Sequence, residues 1–147
     1  VRECLARLGE DDTVLSDILG TLKGGMFHID HLVVSLYGVI IIDVRDEKGT
    51  VEGKPGQRDW KLTGLGRKEM IYNPLWRLRE AANSLEAQLC SIPITSLVVF
   101  VNAILKRAAG EDVISPDRLQ ARIRQHAKPV LDEEQVKKVL DRLGKES

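Results

Sequence analysis

The sequence predicts an α/β fold, a mixed central sheet flanked by helices, and three observations predict it. The run Val39-Ile-Ile-Ile-Asp-Val44 is apolar on both faces and rich in β-branched residues, as a central strand covered from both sides must be. Tyr37-Gly38 makes a tight turn into that run from the apolar segment before it, which implies an antiparallel pair. A long helical pattern then leads to a second β-branched run, Thr95 to Val101, and such a crossover adds a parallel strand.

The elements follow in order. Val1, Cys4, Leu5 and Leu8 sit at helical spacing and predict a short first helix, ended by Gly9-Glu-Asp-Asp12. Thr13 to Leu22 reads as a strand, Gly24-Gly25 as a turn, His28 to Ser35 as the second strand and Val39 to Val44 as the third. Lys48-Gly49 turns into a short strand at Thr50 to Gly53. Lys54 to Gly66, polar and glycine-rich around Trp60, reads as a loop or edge hairpin. Asn73 is a helix N-cap with Pro74 at the first helical position, and Leu75, Leu78, Ala82, Leu85 and Leu89 form the buried stripe. Pro93 lies just beyond its end. Ser115-Pro116 opens a further helix carried by Leu119 and Ile123. Asp132 with Gln135 makes a capping box for the last, which turns Val136, Val139, Leu140 and Leu143 inward. Residues 1–110 are expected to form the core, and 111–147 a helical extension packed on the same domain.

Lys+Arg and Asp+Glu both number 22, so net charge signals neither a nucleic-acid nor a membrane partner, and any such sign must be local. No apolar run reaches the roughly 18 residues that span a bilayer. Cys4 and Cys90 lie in apolar helical patterns as buried thiols, without zinc-ligand spacing, which favours a reducing, cytoplasmic compartment. The chain begins at Val1 rather than Met, as expected of a piece of a longer protein, and an upstream signal or anchor stays open.

The chemistry gathers on the second and third strands. Asp43 and Arg45 project to one side, because strand side chains alternate faces, and Asp30 shares a face with Leu32 and Val34. A hairpin around Tyr37-Gly38 puts Ser35 near Ile40 and Asp30 near Arg45, with Asp43 close by. Two carboxylates held together require a proton or a cation between them, and Mg2+ or Mn2+ suits oxygen ligands. Such a cation polarises a phosphodiester and activates water. Arg45 stays protonated and so is no general base, but it clamps phosphate or stabilises charge. An Asp43–Arg45 ion pair beside a solvated Asp30 is the alternative that spacing leaves open.

The surrounding words are specific. His28-Ile-Asp-His31, Tyr37-Gly38, Asp43-Val-Arg45, Lys48-Gly49, Trp60 and Asn73-Pro-Leu75 occur in order across most of residues 1–105, and together they resemble the nuclease-related domain family. The family pattern runs I-D-H, a glycine turn, an apolar strand ending E-x-K, then K-G, W and N-P-L. The resemblance implies a restriction-endonuclease-like fold and magnesium-dependent DNA processing by an endo- or exodeoxyribonuclease. It places Asp30, Asp43 and Arg45 as catalytic residues and Asp30 and Asp43 as metal ligands. This chain departs in carrying Asp43 for Glu, Arg45 for Lys, and Arg77 where the family usually has Gln.

Lys54, Arg58, Lys61, Arg67, Lys68 and Arg77 belong to the one locally basic stretch and are the candidates for DNA-backbone binding, with a solvated surface as the alternative. His28 and His31 flank Asp30 and are read as turned to the opposite face, in packing or orienting roles. Lys48 and Lys54 are read as solvated loop lysines. Trp60 is expected to close over the core, base stacking being the alternative. The functions that follow are a metal-dependent nuclease weakened by Arg45, an inactive nucleic-acid-binding relative, or a protein-interaction module on the same fold.

Overall fold

The computed structural model describes residues 13–22, 25–36, 38–64, 66–89, 92, 94–106, 109–124 and 131–144. The expected first helix, Cys90 and the turn residues Gly24 and Tyr37 lie outside them. The fold is mixed α/β, as expected, but the strands form two sheets rather than one.

In the first sheet, β1 (Thr13–Leu22), β2 (Gly25–Ser35) and β3 (Gly38–Arg45) pair antiparallel. The crossover helix α1 (Pro74–Gln88) returns the chain to β7 (Ile94–Phe100), which lies parallel to β3. β9 (Val113–Ile114) completes the order β1-β2-β3-β7-β9. The second sheet has the order β6-β5-β4-β8, built from β4 (Gly49–Glu52), β5 (Asp59–Gly64), β6 (Arg67–Tyr72) and β8 (Ala103–Leu105). β4 follows β3, and β8 follows β7, after short links. The second sheet therefore grows from the carboxyl ends of β3 and β7, where Val101 N–H donates to Arg45 O at 2.9 Å. The Lys54–Gly66 segment contributes β5 of a hairpin, and β6 was not expected.

Alternation along β2 and β3 separates two apolar layers. Leu32, Val34, Val39 and Ile41 pack with the α1 residues Leu75, Leu78, Ala82, Leu85 and Leu89. Val139 and Leu143 of α3 (Glu133–Gly144) join that layer. Val33, Ile40, Ile42, Leu97 and Val99 face the other way, against Leu119 and Ile123 of α2 (Leu119–Arg124). The capping box of α3 forms as expected: Gln135 N–H donates to Asp132 Oδ1 at 2.7 Å, and Asp132 N–H to Gln135 Oε1 at 2.9 Å. Ser115 precedes a 3-10 turn, Pro116–Arg118, and its hydroxyl donates to Asp117 rather than to a helix amide.

Trp60 closes over the core and is 0% exposed, which overturns the base-stacking alternative. Its indole Nε1–H donates to Lys54 O at 2.9 Å. The close approach needs Gly53, where an added Cβ would lie 2.2 Å from Trp60 Cγ. Gly53→Ala is therefore expected to destabilise the fold by about 3 kcal/mol through overpacking, read from the urea midpoint. A variant with an unchanged midpoint would show that the ring shifts freely.

Candidate metal and phosphodiester site

The β2–β3 hairpin is tighter than the sequence suggests. Gly38, at φ 118°, enters β3 directly and pairs with Ser35, and the ladder runs on to His31 opposite Ile42. Continued by one residue, that register sets Asp30 opposite Asp43 rather than Arg45. The discrepancy of two residues keeps both acids on the α1 face, so they still meet at the end of the sheet.

One contact fixes the first acid. Val44 N–H donates to Asp30 Oδ2 at 2.8 Å, so the carboxylate takes the amide just past the end of the ladder. Asp43 is half-buried, and its carboxyl is pushed up to about 6. Burial is the largest cause, followed by its hydrogen bond to Asp30 and the Asp30 charge, while Arg45 and Arg77 pull the other way and do not compensate. A shared proton fits this arrangement, and so does a cation.

Arg45 is engaged elsewhere. Its Nε–H donates to Glu47 Oε1 at 3.0 Å and its Nη2–H to Glu47 Oε2 at 2.6 Å, a bidentate fork between half-buried groups. The hydrogen bond to Glu47 raises the guanidinium further above its ordinary value. Burial alone would raise the Glu47 carboxyl, but Arg45 outweighs it and holds Glu47 below the usual carboxylate range.

His28 corrects the expected geometry. Two residues before Asp30, it shares that acid's face, because the strand period is two and only His31 lies across. His28 Nδ1 is 3.5 Å from Asp30 Oδ1, and Nε2 is 3.2 Å from Asp17 Oδ1. Asp17, which sequence reasoning missed, lies in β1 between the pairs Ser16–His31 and Ile18–Ile29, which places it alongside Asp30. It is the one non-glycine with positive φ, 54°, among the described residues. Asp17, His28 and Asp30 each offer a ligand atom within 4.8 Å of the others. His31 is buried and shares a hydrogen bond with the Ser16 hydroxyl at 2.9 Å, a packing role.

Of the six basic candidates, Lys54, Arg58, Arg67, Lys68 and Arg77 are exposed and Lys61 is half-buried. Arg67 and Lys68 stand at the tip of the β5–β6 hairpin, opposite Gly64 and Thr63. Arg77, in the first turn of α1, is the one whose charge acts on Asp43. Asn73 positions it. The Asn73 side chain is fully buried, accepts from Leu75 N–H at 2.9 Å, and donates to Pro55 O at 3.0 Å and Gln57 O at 2.7 Å.

A family model described as nuclease-related domain matches residues 1–101, well over half of the chain and all of β1 to β3. The chain belongs to the nuclease-related domain family. Membership points to a nuclease-related function, to nucleic acid as partner and to a divalent cation, and the two mixed sheets are consistent with a restriction-endonuclease-like fold. No curated protein and no solved structure matches the chain. Among the described residues no helix is long and apolar enough to cross a membrane.

Proposed function

We propose that this nuclease-related domain hydrolyses DNA phosphodiesters with the help of Mg2+ or Mn2+ held by Asp30 and Asp43. The observation that carries this reading is the placement of the two acids side by side on one face at the sheet end, with Asp30 held by Val44 N–H at 2.8 Å. The donor set fits a hard divalent cation, since carboxylate oxygens are its preferred ligands. The bound cation supplies Lewis-acid polarisation of the scissile phosphate. His28 orients the Asp30 carboxylate from 3.5 Å. Arg77, with Lys54, Arg58, Lys61, Arg67 and Lys68, receives the DNA backbone. Arg45 stabilises charge on the phosphate and takes no part as a base, which predicts slow turnover.

The fork between Arg45 and Glu47 favours a second reading, a non-cleaving DNA-binding relative, because the guanidinium two residues from Asp43 is already paired. Plasmid and single-stranded DNA incubated with Mg2+ or Mn2+ separate the two. Slow cleavage by the wild type, reduced by about 100-fold or more in Asp43→Ala, is expected if the acids act through the cation. Arg45→Lys is expected to increase the rate. Cleavage that persists in Asp43→Ala sinks the metal reading, whereas salt-dependent binding without cleavage supports the second.

A further inference from the structure

We infer that Glu47 is a positioning residue that holds Arg45 off the Asp30–Asp43 pair and so keeps that pair open to a cation, an inference that rests on the metal reading above. Asp43 and Arg45 share one face at the end of β3, and Glu47, two residues further on in the link to β4, reaches back to Arg45. Arg45 therefore has acids before and after it in the chain, Asp43 on one side and Asp46 and Glu47 on the other, and all three act on its charge. A guanidinium is permanently charged and binds carboxylates bidentately, so an Arg45 left to Asp43 would occupy the place of a metal ion. Glu47 prevents this. Both of its oxygens accept from Arg45, at 3.0 Å from Nε and 2.6 Å from Nη2, and the two side chains are only 23% and 20% exposed.

The arrangement also explains how an arginine is tolerated beside a metal site. A lysine there would carry a single flexible charge. Arginine in the same place needs a dedicated counter-ion to keep its fork from closing on the ligands, and Glu47 is placed to be that counter-ion.

Mn2+ titration of the full chain by calorimetry tests this with Glu47→Gln and with the double variant Arg45→Ala/Glu47→Gln. Glu47→Gln keeps the side-chain shape and removes the charge, and it should weaken Mn2+ binding by about tenfold, the effect of a cation freed beside two carboxylates. The double variant, which has no guanidinium to compete, should recover the lost affinity. Wild-type affinity in Glu47→Gln, or no recovery in the double variant, overturns the inference. A crystal structure of metal-free Glu47→Gln gives a readout independent of metal. Arg45 turned onto Asp43 supports the inference, and Arg45 unmoved overturns it. If the wild type binds no Mn2+, the metal reading falls by itself and this second readout decides the role of Glu47.

Discussion

Asn73→Ala is expected to lower stability by about 2–4 kcal/mol, or roughly 5–15 °C in Tm for a chain of this size. The helix cap accounts for about 1 kcal/mol of this, because Leu75 N–H loses its acceptor. The larger part comes from the two donors. Asn73 Nδ2 serves both Pro55 O and Gln57 O, so this buried side chain ties residues 55 and 57 to the start of α1, beside the backbone bond from Asn73 N–H to Arg58 O at 2.7 Å that any residue would keep. Pro55 O keeps a second donor in Trp76 Nε1–H at 2.9 Å, but the donor to Gln57 O is lost with the side chain. Each hydrogen bond lost here costs about 0.5–1.5 kcal/mol. Asn73→Asp separates the two contributions. It retains the cap acceptor but places a carboxylate against two carbonyl oxygens in a site with no solvent, so it should do at least as much damage as alanine. Thermal melts of both variants check this. An aspartate variant as stable as wild type would mean that only the cap matters. Because α1 begins at this clamp, loss of Asn73 should also weaken DNA binding through Arg77.

Asn73 also marks the limit of what the sequence discloses. Its cap role was legible, since an Asn-Pro step before an apolar stripe at helical spacing has few other meanings. Its clamp on residues 55 and 57 was not, because those partners lie 18 and 16 positions away and no periodicity connects them. The same division runs through the fold. β3 was legible from its β-branched composition, but β6 is exposed along most of its length and its Arg-Lys-Glu start carries no alternating apolar signal. At the candidate site the pairing of Asp30 with Asp43 followed from face alternation. The register came out two residues off, because the positive φ of Gly38 lets β3 start earlier than a turn centred on Tyr37-Gly38 allows. His28 stands beside Asp30, not across from it, as a period of two along β2 already dictates. Glu47 lies in the link after β3, where strand periodicity places nothing, and only its contact with Arg45 shows its role. Asp17 needed the β1–β2 register, which only the structure supplies.

The second large effect is an inversion of stability with pH and metal. Asp43→Asn is expected to be more stable than the wild type without metal at about pH 8, by about 1–2 kcal/mol once partial exposure is allowed for. The sign follows from the direction of the shift. The Asp43 carboxyl moves from its ordinary 3.8 to about 6 in the fold, so the fold favours the protonated form. Its contribution is fully present below 3.8 and is lost as pH rises through about 6. Asparagine keeps the shape and never ionises, so it escapes that loss. The advantage should shrink towards zero at about pH 4, where the wild-type acid is protonated in the fold. Saturating Mn2+ at about pH 8 should then reverse the order, since a ligand at a hundred times its Kd stabilises by about 2.7 kcal/mol and the variant lacks one of the two carboxylates. Melting curves of both proteins at the two pH values, with and without Mn2+, separate the readings of the acidic pair. If Asp43 were simply the partner of Arg45 in a structural ion pair, the asparagine variant would be the less stable protein at about pH 8, with or without metal. Greater stability in the absence of metal and a smaller response in its presence mark a carboxylate that the fold holds at a disadvantage until a cation arrives.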